Sequence, residues 1–451
     1  MTTAAGRKKR VLIVSFNFPP TSNIAAVRVG KLAKYLPQFG WEPIVLTADN
    51  VKEWPQTLPV EIDEANIFRT PYFALDSSLY RNLGGSDLTS PRSSSRKYSW
   101  KKPLYKALRL TRPIYTLSIF HPLVSDPIGW YPHAVKKGRE ILKKYEIDAI
   151  FSSYSPSTSH LVASRLQRSS GIPWIAEFRD LWALNPYTRK IPVFQFLEKR
   201  LEKRVMKGSS LLIAASEDMA EQLETLHAKK AVTIHNGFDE EDYAENVPLT
   251  AKFTITYTGR VYPGKRDPTL LFEAVKELRD EGKVSPQTLD VRFFGDKSLT
   301  TLSAPIEKYH LGGMVKICDL VSFKESIKRQ KESTVLLLLE WNDPKAKATY
   351  TGKLFEYLGA ERPILAIAYR GGAINNLLAE SGTGVLVDEV QMMKESLSRW
   401  LDEWQQLGRI VSYWKPRADV IQRYTRKEQA RKLAQLLEKG SMSERSSGIN
   451  L

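Results

Sequence analysis

The chain has one cysteine, Cys318, among 451 residues. That excludes an intramolecular disulfide and a cysteine metal cluster, fits a reducing compartment, and leaves Cys318 to act as a small buried hydrophobe. No stretch approaches the ~18 consecutive apolar residues that a membrane-spanning helix requires. The opening MTTAAGRKKR runs directly into VLIVSF, which is too short for the apolar core of a signal peptide and has no small-residue cleavage site behind it. The expected location is therefore the cytoplasm. There is no Asp-x-Asp, no compact His, Cys and Asp cluster of zinc-site spacing, and no repeat of solenoid period. Acidic side chains are the deficit: 50 Asp and Glu stand against 67 Lys and Arg, for a formal net charge of +17. Such a surplus calls for an anionic partner or surface. Nucleic acid, acidic lipid headgroups and phosphorylated small molecules all satisfy it.

With 42% hydrophobic and 26% charged residues, the composition is that of a globular protein, and the length favours two domains of roughly 200 residues each. The first half alternates strand and helix signals. Val11 to Phe16, Glu42 to Thr47, Ala149 to Ser153, Trp174 to Phe178, Ser210 to Ala215 and Val232 to His235 read as strands. Ala25 to Phe39, Ala134 to Tyr145, Thr158 to Arg168 and Val193 to Lys207 read as helices. Residues 72–130 carry little pattern. Within them, basic residues alternate with Tyr98, Trp100, Tyr105 and Leu110 over Arg92 to Arg112, a mixture suited to a lipid headgroup layer; a solvated loop after the serine-rich run Asp87 to Ser95 is the competing reading.

An acidic, irregular stretch after Asn236-Gly237 marks the domain boundary, and a second alternating series starts at Phe253. The predicted organisation is residues 1–245 as a first domain, 246–410 as a second, 411–439 as a helical segment returning to the first, and 440–451 as a disordered tail. Alternation of this kind predicts α/β architecture: two Rossmann-like, doubly wound domains facing across a cleft, with ligands outside the carboxyl ends of the strands.

The most informative stretch is STVLLLLE, Ser333 to Glu340, followed from Thr349 by TYTGKLFEYLGAERPILAI. It places Gly352 and Lys353 at the start of a predicted helix and Glu356 one turn in. Helix-end N–H groups favour a diphosphate, and a carboxylate just beyond can take both hydroxyls of a ribose. This is the chemistry of a sugar-nucleotide site. The competing reading of Glu356 is a solvent-facing helical glutamate.

Four segments together resemble retaining glycosyltransferases of the GT-B fold, specifically glycosyltransferase group 1, or family GT4: VLIVSFNFPPTSNIAAVRVGKLAKYLPQFGWEPIVLT, IFSSYSPSTSHLVASRL with IPWIAEFRDLW, TYTGRVYPGKRDPTLLFEAV, and TYTGKLFEYLGAERPILAI. The resemblance implies a donor site in the second domain. Gly259, Gly352, Lys353, Leu354 and Glu356 would bind the nucleoside-diphosphate sugar, and Arg260 and Lys265 would grip the diphosphate as it leaves. Here GRVYPGKR lacks the P-loop pattern. The first glutamate of the family's pair falls at Ala348, so Asp343 or Glu340 is a candidate substitute. On the acceptor side the resemblance points to Asn23, Arg179 and Asp180, with His133 and His160 as candidates for a histidine that has no clear match. It implies metal-independent transfer without cofactor, in which the departing diphosphate deprotonates the acceptor hydroxyl through an oxocarbenium-like state and no glycosidase carboxylate pair is required.

The expected partners are a nucleotide sugar and a glycan or lipid-linked acceptor in envelope, capsule or lipopolysaccharide assembly, with peripheral contact to the anionic inner face of a membrane. Nucleic acid is not expected, since no recognition helix or RNA motif accompanies the charge. Two rival readings are a non-catalytic sugar-nucleotide or polysaccharide binder on a GT-B scaffold and an epimerase of the same architecture.

Overall fold

The computed structural model describes residues 7–49, 55–72, 127–185 and 192–447. The basic and aromatic run Arg92 to Arg112 lies outside them. The chain divides into two compact units, residues 1–234 with 433–451 and residues 235–432. The division falls ahead of the acidic stretch because Phe238 and Tyr243 already pack into the second unit's core.

The first unit follows the order β1 (Lys9–Val14), α1 (Ile24–Tyr35), β2 (Trp41–Ala48), β3 (Ile67–Thr70), α2 (Tyr131–Lys144), β4 (Ala149–Tyr154), α3 (Thr158–Ser170) and β5 (Trp174–Phe178). It continues with α4 (Pro192–Met206), β6 (Leu211–Ala214), α5 (Glu217–His227) and β7 (Ala231–Thr233). The seven strands among its described residues are parallel, in the order β3-β2-β1-β4-β5-β6-β7. The strand order reverses between β1 and β4, the switch point beyond whose carboxyl ends ligands bind in open α/β sheets.

The second unit repeats the plan with β8 (Phe253–Thr258), α6 (Thr269–Asp280), β9 (Leu289–Phe294), α7 (Ser303–Lys308), β10 (Val315–Cys318), α8 (Phe323–Lys331) and β11 (Val335–Leu339). There follow α9 (Gly352–Ala360), β12 (Ile364–Ile367), α10 (Ala373–Ser381), β13 (Gly384–Val387), α11 (Val390–Leu407) and α12 (Ala418–Ile421). The parallel order β10-β9-β8-β11-β12-β13 reverses between β8 and β11. The uniform leucine run of β11 is explained by helices on both sheet faces: Val335, Leu337 and Leu339 enter one core and Leu336 and Leu338 the other. Each such side chain contributes about 1.5–3 kcal/mol on burial.

The last helix, α13 (Arg426–Ser447), runs beyond Lys439 into the segment expected to be disordered, because only Gly440 interrupts a helix-compatible sequence there. Strand β3 and helices α5 and α11 were not marked by the sequence pattern. β3 is a four-residue edge strand, and α11 buries five residues of its eighteen, a narrow stripe among charged neighbours.

Candidate functional site

In the second unit, the candidate donor groups gather where β8 and β11 diverge. β8 ends at Thr258, and the following loop approaches β9 closely: a Cβ on Gly295 would stand 2.3 Å from the Gly259 carbonyl oxygen. The Tyr257 hydroxyl donates to the Arg260 carbonyl at 2.6 Å, fixing the loop's first turn. Burial raises this phenol's pKa, so it stays protonated and able to donate. Arg260 pairs with Asp296 at 2.7 Å and is half exposed. Lys265 is exposed, with its ammonium 4.6 Å from the Trp341 ring centroid. Arg266 reaches Glu340 at 2.9 Å. Two contacts therefore bind the β8 loop to the end of β11, and Arg266, which the sequence reading passed over, makes one of them.

Helix α9 follows. Thr351 caps it, its hydroxyl accepting from the Lys353 N–H at 3.4 Å. The Tyr357 hydroxyl accepts from the Thr258 N–H at 3.2 Å, tying the helix to the end of β8. Glu356 is buried at 9% exposure, unlike a solvent-facing helical glutamate. Its Oε2 accepts from Lys353 Nζ at 2.7 Å and from Gln330 Nε2 at 3.3 Å. Its Oε1 takes no hydrogen bond from the described residues. Gln330, wholly buried on α8, also reaches Thr258 and Ser326 at 3.2 Å. A carboxylate only accepts, which puts the amide nitrogen of Gln330 on the Glu356 side. The structure thus joins Lys353 and Glu356 in one ion pair and adds Gln330, a residue whose only sequence signal is an uncharged polar side chain on the inner face of a helix.

The two carboxylates proposed to replace the glutamate absent at Ala348 are already engaged. Asp343 caps a short helical turn by accepting from the Lys345 N–H at 2.8 Å. Glu340 is buried between Arg266 and the Trp341 N–H.

In the first unit, the β1 loop and the β4 loop meet at the corresponding place. Asn23 caps α1 through the Ala26 N–H at 2.9 Å and donates to Asn17, which donates in turn to the Ser155 carbonyl. The turn at Pro19 packs against α1 so tightly that a Cβ on Gly30 would lie 2.7 Å from Pro19 Cγ. Below the turn is a closed polar chain. Arg28 donates from Nε and Nη2 to Glu177 at 3.0 and 2.8 Å and from Nη2 to the Ile234 carbonyl at 2.8 Å. Ser153 donates to the other Glu177 oxygen at 2.7 Å, and Arg179 donates to Ser153 at 3.1 Å and to the Ser155 carbonyl at 2.8 Å. Burial lowers the pKa of the Arg179 guanidinium.

Asp180, next along, is exposed. His133 lies exposed on the first turn of α2. His160 has no exposed surface with which to touch an acceptor: it bonds Ser152 at 2.8 Å, packs against Tyr154 and Phe178, and burial depresses its pKa to about 3. The ring is a neutral core residue. Arg28 escaped the sequence reading because it sits singly on an otherwise apolar and lysine-bearing helix.

Residues 25–242, a little under half the chain, match the sequence model of Glycosyltransferase Family 4. Among curated proteins none matches this sequence. Solved structures share the architecture over nearly all of their length and this one's. A glycosyltransferase from Rickettsia africae ESF-5 is 15% identical, with 96% of this chain and 99% of that one covered at a TM-score of 0.57. Sucrose-phosphate synthase from Thermosynechococcus elongatus is 15% identical, with 98% of each chain covered at a TM-score of 0.52. Anabaena Alr3699/HepE in complex with UDP is 12% identical, with 98% and 100% covered at 0.50. The two Rossmann-like α/β units have the architecture of the GT-B fold.

Proposed function

We propose that the protein is a retaining glycosyltransferase that moves a sugar from a nucleoside-diphosphate donor to a glycan or lipid-linked saccharide in envelope, capsular or lipopolysaccharide assembly, without a metal ion. The observation that carries the reading is Glu356: a buried carboxylate at the strand-order reversal of the second unit, with one oxygen held by Lys353 and Gln330 and the other taking no hydrogen bond from the described residues. Alr3699/HepE, of the same fold, holds UDP.

In this reading Glu356 receives the ribose hydroxyls, while Lys353 and the first-turn N–H groups of α9, from Gly352 to Leu354, meet the diphosphate. Arg260 and Lys265, beyond Gly259 on the β8 loop, offset the charge that grows on the leaving diphosphate, which in turn takes the proton of the acceptor hydroxyl. On the acceptor side Asp180 accepts a hydrogen bond from that hydroxyl, with Arg179 and Asn23 shaping the rim.

The engagement of Glu340 and Asp343, with alanine at 348, favours one second reading, a sugar-nucleotide binder that no longer turns over. Calorimetric titration with UDP, GDP, ADP and TDP in EDTA, with Glu356→Ala beside the parent, tests the donor site. The expected outcome is one nucleotide bound without metal and weakened by the substitution. Failure of all four to bind would remove the donor reading. Binding without sugar release from any acceptor or water would leave the binder.

A further inference from the structure

Helix α4 carries a surface that the proposed reaction does not use. Val193, Phe196, Leu197 and Leu201 recur at helical spacing along its outer face and are 62%, 56%, 53% and 40% exposed. Arg200, Lys203, Arg204 and Lys207 share that face, are exposed, and pair with no carboxylate among the described residues. The helix does contain two glutamates, and both point inward: Glu198 and Glu202 are buried, Glu202 accepting from the Ala183 N–H at 2.8 Å and bonding His227 at 3.0 Å. Charge is therefore sorted across the helix, acids in and bases out. Along the axis the first two turns present apolar side chains and the later turns present cations. Arg168 of α3 adds a further guanidinium, donating to the Arg204 carbonyl at 3.0 Å.

We infer that this face of α4 seats the protein on an anionic lipid surface. Val193, Phe196 and Leu197 enter the boundary between headgroups and acyl chains, and the long side chains of Arg200, Lys203, Arg204 and Lys207 extend to the lipid phosphates. The guanidinium of Arg200 already lies 5.4 Å from the Phe196 ring centroid, so aromatic and cation reach the same depth. A second copy of the chain brings no carboxylate to these cations through the same face, since its two glutamates are buried. Helix α4 is the next helix after β5, Arg179 and Asp180 in the chain, and in a parallel β-α-β unit the connecting helix starts on the side of the strands' carboxyl ends. A lipid-borne ligand would thus arrive at the candidate acceptor end. The inference does not depend on the donor reading.

The test is co-sedimentation of the full chain with vesicles of equal parts phosphatidylglycerol and phosphatidylcholine, and with phosphatidylcholine alone. The parent is compared with Phe196→Ser/Leu197→Ser and Arg200→Glu/Arg204→Glu, whose melting temperatures verify folding. Binding to the anionic vesicles alone, reversed by high salt and weakened about tenfold or more in each double variant, is the expected result. An environment-sensitive fluorophore on Leu197→Cys, in a Cys318→Ser background, should shift to the blue on the anionic vesicles only. No binding, equal binding to both vesicle types, or binding that persists in both double variants overturns the proposal. So does a concentration-dependent dimer that Phe196→Ser/Leu197→Ser dissolves, since the second copy would then be the occupant.

Discussion

The two units share one topology and use its reversal point in opposite ways. Where β1 and β4 part, the polar side chains are turned on one another: Arg28, Glu177, Ser153 and Arg179 form a chain in which the first three are at most 2% exposed. Where β8 and β11 part, charge lies nearer the surface: Arg260, paired with Asp296, is half exposed, Lys265 is exposed beside Trp341, and Glu356 has one oxygen that takes no hydrogen bond from the described residues. A doubly wound sheet supplies a crevice in either case. What each crevice can bind depends on how many of its polar groups are already satisfied. On the proposed reading the second unit meets a strongly charged ligand such as a diphosphate, while the first holds its shape with most of its charges and leaves backbone, Asn23 and the exposed Asp180 for an acceptor.

Breaking the closed chain of the first unit should give the largest effect. Arg28→Met leaves the Glu177 carboxylate buried without its cation, and Glu177→Leu leaves Arg28 likewise. Either change is expected to cost about 3–5 kcal/mol, whereas the double substitution costs less than either alone, because no charge is then stranded. Urea denaturation followed at the first unit checks this. A double variant as destabilised as the sum of the singles would mean that the ion pair is not what the network depends on.

The exposed charges of the second unit should answer through chemistry, with little change in stability. Lys265→Ala removes an exposed ammonium that rests on Trp341; in a sugar-release assay it is expected to lower kcat by about 10²–10³-fold, the range for one preorganised charge-stabilising group, with KM far less affected. Gln330→Met frees one side of Glu356 without removing it. About tenfold weaker nucleotide binding is expected, with kcat at saturation nearly unchanged, because the amide positions the carboxylate. Equal loss in both parameters would put Gln330 in contact with the reacting groups instead.

The local frame of the second candidate site was legible in the sequence because its signals are local. Gly352, Lys353 and Glu356 lie within one helical turn or so of each other at the start of α9, and the leucine run before them announces a buried parallel strand. The partners of those residues were not legible, since Gln330 meets Glu356, and Arg266 meets Glu340, across 26 and 74 positions of sequence. The first unit's network is nonlocal throughout: Arg28 and Glu177 are 149 positions apart. No pattern in AAVRVGKLAKY distinguishes an arginine that faces solvent from one buried against a carboxylate. His160 shows the converse. A histidine beside three serines at a strand end suggests a site, yet its neighbours Tyr154, Trp174 and Phe178 enclose it.

That enclosure has a pH signature, the smallest of the expected effects and one that distinguishes the two units. Burial depresses the His160 pKa from its ordinary 6.5 to about 3, so above pH 6.5 the ring is neutral both folded and unfolded and costs nothing. Between those two values the unfolded chain binds a proton that the native state refuses. Stability is therefore lost as pH falls below 6.5, by up to about 1.4 kcal/mol per pH unit from this group. Acidic groups add losses of their own at lower pH, so the difference between parent and His160→Gln isolates the ring. The variant should show a shallower decline between pH 6.5 and 5 in urea denaturation of the first unit, and an unchanged profile for nucleotide binding to the second. Parallel declines in parent and variant would mean that His160 takes up its proton within the fold, which requires that the packing around its Nε2, a buried atom without a hydrogen-bond partner, opens to water.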